Sequence, residues 1–107
     1  MKPYRFLTPA LLEVEAASRF YESNQSGLGR AFLDEIDATV QRILANPEAW
    51  QVLEDGIRRC RLKRFPYGII YTRLEDGTVL IVSVMHLHRR PSSWQENLKS
   101  DADGSDL

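Results

Sequence analysis

Five basic residues lie within a seven-residue stretch near the middle of the chain, a density that could bind a row of anions. They are Arg58, Arg59, Arg61, Lys63 and Arg64. In a β-strand every second side chain points to the same face, about 6–7 Å apart, so Arg59, Arg61 and Lys63 would form one basic row. Such a row could meet the phosphates of a nucleic acid, or the carboxylates of an acidic partner, in series. The alternative is a solvated outer face of a sheet that binds nothing.

A second group of reactive side chains follows the last strongly apolar run of the sequence. It reads His86-Leu87-His88-Arg89-Arg90-Pro91, with Trp94 nearby. Histidine can act as a general base near neutral pH, and arginine can stabilise charge on a phosphoryl transition state. Two histidines alone do not predict a metal site, because a catalytic zinc needs three protein ligands. The alternative for His86 is a structural residue that orders the strand end.

Other candidate residues have less specific patterns. Tyr67, Tyr71 and Trp94 could stack on nucleic-acid bases, and Tyr71 and Trp94 could bind a partner. Such aromatic residues are more often found in a core or at its rim. Cys60 is the only cysteine, so it forms no internal disulfide, and we expect an inert buried thiol. The sequence contains no phosphate-binding loop, dinucleotide fingerprint or serine elbow, and we predict no cofactor.

Helices precede the strands that would carry these residues. Lys2–Leu7 predicts a first strand. Thr8-Pro9 then predicts the start of an amphipathic helix that runs to about Asn24. Its apolar residues recur at every fourth position, Leu12, Ala16 and Phe20, and the stripe is widened by Leu11, Val14, Ala17 and Tyr21.

A second helix is predicted after the turn Ser26-Gly27-Leu28-Gly29, ending near Ala45 before Asn46-Pro47. Its core face would be formed by Phe32, Ile36, Val40 and Ile43. Because the connection is short, the two helices should form an antiparallel hairpin.

Three strands are predicted after a loop that passes through Asp55-Gly56: Ile57–Phe65, Tyr67–Leu74 and Val79–Met85. Asp76-Gly77 is a strong hairpin signal between the last two. The predicted fold class is therefore α+β: an N-terminal strand, a helical hairpin, and a mostly antiparallel three-strand run forming one sheet. We predict a single domain over residues 1–95 and a polar acidic tail over 96–107, which should be mobile.

Composition limits the possible functions. The 107 residues suffice for one domain, and their formal net charge is −1. Three aspartates of the tail, Asp101, Asp103 and Asp106, account for that sign, so residues 1–99 carry a formal charge of +2. The whole chain is thus not a strongly basic nucleic-acid binder, and we expect no sequence-specific DNA binding. No apolar run approaches a membrane span or a signal peptide, so a cytoplasmic location is expected.

Three stretches together resemble the RelE/ParE superfamily of toxins from type II toxin–antitoxin modules, often called plasmid stabilisation proteins. The first contains Phe20-Tyr21-Glu22, Gly27-Leu28-Gly29, Phe32-Leu33 and Glu35-Ile36. The second contains Gly56-Ile57-Arg58-Arg59, Phe65-Pro66-Tyr67 and Ile69-Ile70-Tyr71. The third contains Val84, His86, Arg89, Pro91 and Trp94. The likeness covers roughly residues 4–94 and is closer to the ParE side than to the RelE side.

The resemblance implies a growth-inhibiting toxin that a small cognate antitoxin neutralises in a tight complex. The ParE branch is associated with poisoning DNA gyrase, and the RelE branch cleaves mRNA in the ribosome. RelE-type nucleases commonly carry an arginine where this chain has Gly68, which favours the ParE-like interpretation. Under the alternative of an mRNA endonuclease, the catalytic residues would be Arg61, His86 and Arg89. Under either, the residues that bind the antitoxin or target would be Arg58, Arg59, Arg61, Lys63, Arg64, Tyr71, Arg89, Arg90 and Trp94.

Overall fold

The computed structural model of the chain describes residues 3–89 and 94–99. Its main elements, in chain order, are β1 (Tyr4–Phe6), α1 (Thr8–Asn24), α2 (Leu28–Ala45), β2 (Gln51–Glu54), β3 (Ile57–Arg61), β4 (Tyr67–Arg73) and β5 (Val79–His86). Residues 94–99 add a short helix. Most of the predicted acidic tail, from residue 100 onward, lies outside the described residues.

The described strands form one mixed sheet in the order β1-β5-β4-β3-β2. The antiparallel run that the sequence predicts is present as β3, β4 and β5, and the α+β class is confirmed. The sheet nevertheless has five strands, because β2 joins the predicted N-terminal strand and three-strand run. β1 pairs with β5 in parallel, and β2 pairs with β3 antiparallel. The N-terminal strand therefore lies at one edge, beside the last strand of the chain.

β2 is a strand that we predicted to be loop. It spans only Gln51–Glu54, three of its four side chains are exposed, and its pairing with β3 is irregular between Val52 and Glu54. The chain turns back into β3 at Gly56, whose φ of 77° is a left-handed conformation that suits glycine. So short and solvated a strand has no alternating apolar pattern, and only its hydrogen-bonded partner identifies it.

α1 ends at Asn24, as predicted, and only part of its broad apolar stripe is buried. The stripe of every fourth residue from Leu12 to Phe20 does not face the core: Leu12 is 58% exposed and Phe20 is 59% exposed. The smaller residues Ala10, Val14 and Ala17 are buried instead. α1 carries apolar residues on two faces, and periodicity alone does not indicate which of them meets the sheet.

α2 buries the predicted face, and Phe32, Ile36, Val40 and Ile43 all lie in the core. The turn before it is tightly organised by a carboxylate of α1. Glu22 accepts hydrogen bonds from the backbone N–H groups of Gly27 and Gly29, at 3.0–3.1 Å. These are N–H groups at the start of a helix, which have no partner within the helix itself. Glu22 thus fixes the angle between the two helices.

Gly29 should be required for this close packing. A Cβ atom at that position would lie 2.7 Å from the backbone oxygen of Ser18 and 3.0 Å from the Cβ of Glu22. We expect Gly29→Ala to lower the free energy of unfolding by roughly 1–3 kcal/mol, because the helices must separate to admit the methyl group. Urea unfolding measures the change. Asp37→Ala, on the exposed face of the same helix, is the control and should change stability by no more than about 0.5 kcal/mol. An unchanged Gly29→Ala would contradict the packing argument.

Candidate functional site

The basic segment is divided between the two faces of the sheet. Cys60 of β3 is buried. Arg61 pairs with Gly68 and Arg59 with Ile70 across the β3–β4 ladder, which puts both arginines on the face opposite the helices. This face, which we call the open face, therefore carries two of the three residues of the predicted row.

Lys63 and Arg64 lie beyond the strand, because β3 ends at Arg61. Both side chains are exposed in the bend that follows. The backbone N–H of Lys63 donates to the carboxylate of Glu35 in α2 at 3.0 Å, which ties this bend to the helix. The basic row is thus shorter than predicted, since its last member, Lys63, lies with Arg64 on a loop at the edge of the helical layer.

Arg58 has a structural role in the chain. Its guanidinium donates to the backbone oxygens of Glu48 and Trp50, both at 2.9 Å. These bonds hold the connection between α2 and β2. Nearby, the buried hydroxyl of Tyr71 donates to the backbone oxygen of Pro47, and burial raises the pKa of Tyr71 to about 12. Both residues were predicted to bind a partner, yet in this chain they fasten the same loop.

Gly68 is covered by the side chain of Arg59. A Cβ atom at Gly68 would lie 3.0–3.1 Å from the Arg59 side-chain carbons, and 3.3 Å from Leu87. The Arg59 guanidinium donates to Gln51 at 2.8 Å, while its buried Nε has no hydrogen-bond partner among the described residues. Burial, with a smaller effect of Arg61, lowers the pKa of Arg59. Because Gly68 has no side chain, the aliphatic part of the Arg59 side chain can pack directly against the backbone of β4.

His86 lies on the helix-facing side, at the end of β5. Its ring meets the ring of Tyr67 edge-on at 5.2 Å, and Tyr67 in turn packs against Phe32 of α2. The Nδ1 atom of His86 accepts a hydrogen bond from the backbone N–H of His88 at 3.1 Å, so Nδ1 is the acceptor nitrogen of this ring. These contacts are the kind that a structural histidine at a strand end would make.

Arg89 lies between two grooves, and its side chain is 60% exposed. One groove of about 290 Å³ runs beside α1 and is lined by Leu12, Glu13, Ala16, Ala17, Phe20, Tyr67, Val84, Met85, His86 and Arg89. The other, of about 310 Å³, lies on the open face and is lined by Leu53, Glu54, Arg59, Ile70, Met85, Leu87, Arg89, Trp94 and Gln95. We call them the α1 groove and the open-face groove. Trp94 is only 5% exposed, so it forms a wall and does not project as a free stacking surface.

Glu13 is a site residue that sequence reasoning missed. Its carboxylate accepts the hydroxyl of Ser83 at 3.0 Å, the backbone N–H of Val84 at 2.9 Å and the side-chain amide of Asn97 at 3.3 Å. The guanidinium of Arg89 is 3.9 Å away. A lone glutamate in an amphipathic helix is usually a solvated residue, so no pattern in the sequence marks it.

The three residues proposed for catalysis do not converge. Arg61 lies on the open face, whereas His86 faces the helices with its paired neighbour Tyr67. Arg89 is near His86, as both line the α1 groove. Arg90, another predicted binding residue, lies outside the described residues. Within residues 3–89 and 94–99, no three His, Cys, Asp or Glu side chains are grouped to hold a metal ion. None of the helices in the same ranges is long and apolar enough to cross a bilayer.

Comparison with known proteins identifies a family. A family model described as "ParE toxin of type II toxin-antitoxin system, parDE" matches residues 4–91. A solved structure described as "Chromosomal ParDE TA system from P. aeruginosa" is similar, with a TM-score of 0.63 and 18% sequence identity. The match covers 80% of this chain and 96% of that one, and at this identity it shows the fold alone. A search of curated proteins gave no match.

Glu13 should stabilise the fold because it pairs buried donors at the edge of β5. Glu13→Gln replaces an acceptor oxygen by an NH₂ donor beside groups that need an acceptor. We expect the free energy of unfolding to fall by about 1–3 kcal/mol in chemical denaturation. Glu15→Gln, an exposed neighbour on the same helix, is the matched control and should be nearly neutral. Equal effects of the two substitutions would show that the Glu13 contacts contribute nothing specific.

Tyr71 should make the free energy of unfolding fall as the pH rises into the alkaline range. Burial raises the pKa of Tyr71 from its ordinary value of 10.0 to about 12, so the unfolded chain loses this proton first. The contribution of Tyr71 to stability is therefore complete below pH 10 and is lost as the pH rises toward 12. We expect unfolding free energies of the wild type and Tyr71→Phe to converge over that range. Burial also raises the pKa of Tyr21 and Tyr67, so only the difference between the two proteins reports on Tyr71. A pH-independent difference would contradict the assignment.

Proposed function

This chain belongs to the ParE toxin family of type II toxin–antitoxin systems, and we propose that it arrests growth by binding an essential target. Binding, and not chemistry of its own, is the basis of this proposal. The observation that carries it is the separation of Arg61 from His86 on opposite faces of the sheet. Cleavage of RNA needs a base and a cation at the same phosphate, within hydrogen-bond reach of the reacting groups.

The target that we propose is DNA gyrase, which rests on the family resemblance. The surface best suited to it is the open face, where Arg59 and Arg61 lie side by side above Gly68. The Arg59 stem lies over Gly68 and its guanidinium donates to Gln51, contacts that would reduce the side-chain entropy lost when it meets an acidic surface. Lys63 and Arg64 extend the positive charge past the end of β3.

A cognate antitoxin is the second partner that we propose. The antitoxin would neutralise the toxin by direct binding, and such a pair would stabilise a plasmid that encodes both. Gyrase and the ribosome are both cytoplasmic, and we therefore place the toxin in the cytoplasm.

An mRNA endonuclease of the RelE type is the second candidate function. It is favoured by one feature, the proximity of His86 and Arg89 in the α1 groove. A base and a cation are thus available there even without Arg61. This candidate predicts that growth arrest requires His86 and produces new mRNA ends within translated codons.

Expression without antitoxin tests the proposal. We expect growth arrest with intact mRNA, and inhibition of purified gyrase in a DNA supercoiling assay. Arg59→Glu and Arg61→Glu should each weaken that inhibition by roughly tenfold or more, because they reverse charge at the proposed contact. Arg30→Glu, at a highly exposed arginine of α2 outside this face, is the matched control.

Two results would contradict the binding mechanism. Normal growth at confirmed expression of folded protein would count against a toxin of any kind. Cleaved mRNA, together with loss of arrest in His86→Ala and full arrest in Arg59→Glu, would establish the nuclease instead.

A further inference from the structure

The open-face groove has an apolar floor. Ile70 and Met85 form that floor, and they are largely buried, at 1% and 6% exposure. Gly68, the partner of Met85 in the β4–β5 ladder, adds no side chain on this face. Leu53 lines the groove from β2, and Leu87 lines it from the chain beyond β5. A groove of about 310 Å³ with such a lining can take one large apolar side chain.

Two arginines lie on opposite sides of this floor. Arg59 belongs to β3 and Arg89 follows β5, so that β4 and β5 lie between them. Gln51 binds one nitrogen of the Arg59 guanidinium through its single acceptor oxygen, and the Nε atom has no partner among the described residues. The side chain of Arg89 is 60% exposed, and its contact with Glu13, at 3.9 Å, is long for an ion pair. With Glu54 as the acid in its lining, the groove keeps an excess of positive charge.

A strand of nucleic acid matches this groove poorly. Single strands are held by bases that stack on exposed aromatic rings, beside a continuous track of cations. Trp94 lines the groove but is 5% exposed, which leaves little of its ring for stacking. Arg59 and Arg89 are also separated by apolar side chains, which offer a phosphate backbone nothing to bind. The lining therefore favours a polypeptide.

A second copy of the chain matches it poorly as well. The large apolar residues that are exposed within residues 3–89 and 94–99 are Leu11, Leu12, Phe20, Leu33 and Val52. None of these five has an acidic residue within two positions on both sides. A two-fold pairing of open faces would also bring the arginines of one copy toward those of the other. Both points favour a different protein, one that offers an apolar side chain together with negative charge.

We propose that the open-face groove binds a segment of gyrase in which one large apolar residue lies between two acidic residues. This inference rests on the proposed function and specifies what the open face recognises. The apolar side chain would enter the groove and cover Ile70 and Met85, while a carboxylate on each side of it would bind Arg59 and Arg89. Charge alone attracts many acidic surfaces, but an anchor residue in a groove fixes where a partner binds. The groove would therefore supply the specificity that the arginines of β3 lack.

Binding of the full chain to purified gyrase, together with inhibition of DNA supercoiling, tests the inference. We expect Leu53→Ser and Leu87→Ser each to weaken binding roughly tenfold or more, because they remove an apolar wall without changing the charge. Val52→Ser is the matched control and should bind as the wild type does. Val52 is the neighbour of Leu53 in β2, is 56% exposed and lies outside the groove lining.

Two charge variants give effects of opposite sign. Arg89→Gln should weaken binding and reduce its dependence on salt. Glu54→Gln removes the acid from the groove lining and should strengthen binding about two- to threefold. Glu54 is exposed, so this variant keeps the test decisive even where a leucine variant does not fold. Unchanged or weaker binding by Glu54→Gln would contradict the inference.

The outcomes separate this inference from the proposed function. If the wild type does not inhibit gyrase, the proposed target fails and the inference fails with it. If both leucine variants inhibit as the wild type does, while Arg59→Glu does not, gyrase is recognised through charge alone; the target then stands and the inference is overturned. A dimer of the free toxin that Leu87→Ser abolishes, seen by sedimentation, would instead assign the groove to a second copy. Single-stranded DNA that binds in a Leu87-dependent way and displaces gyrase would assign it to nucleic acid. Circular dichroism confirms that each variant is folded.

Discussion

The edge of β5 that β1 leaves uncovered is the constraint on which the rest of the structure depends. β1 pairs only with Val79, Leu80 and Ile81, so the second half of β5 has no strand on that side among the described residues. Backbone groups in such a position need partners, because an unpaired buried N–H or carbonyl costs free energy. Glu13 accepts the N–H of Val84, and Asn97 donates to the carbonyl of Val82 at 3.0 Å. Two side chains thus complete a strand edge, and through them α1 and the final short helix are held to the sheet.

The two grooves follow from that arrangement. Because α1 is anchored at the β5 edge, its exposed stripe lies next to the strand end that carries His86, which creates the α1 groove. Because Asn97 binds Glu13 and the β5 backbone, the short helix at 94–99 is held near the open face, where Trp94 lines the second groove. Arg89 borders both.

Carboxylates of the helices recur as organising groups. Glu13 pairs the edge of β5, Glu22 holds the start of α2, and Glu35 accepts the backbone N–H of Lys63. In each case a charged acceptor meets a backbone donor that has no partner in regular structure, an interaction stronger than that between two neutral groups. Two arginines act in the complementary way, as donors to backbone oxygens. Arg42 donates to the oxygen of Arg61, and Arg58 donates to those of Glu48 and Trp50. Some charges in the family-like stretches thus make contacts that stabilise the fold.

The sequence by itself determined the order of the long elements, the buried face of α2, the hairpin at Asp76-Gly77 and the resemblance to the toxin family, since each depends on local spacing and turn chemistry. It did not determine which side of α1 faces the sheet, because that helix is apolar on two sides and only the packing of Ala10, Val14 and Ala17 selects one. Nor did it separate Arg58 and Tyr71, which fasten a loop, from Arg59 and Arg61, which face outward. The basic strand remains the most informative segment of the sequence, but whether a given arginine is free to bind depends on which backbone oxygens and aromatic rings the fold brings within its reach.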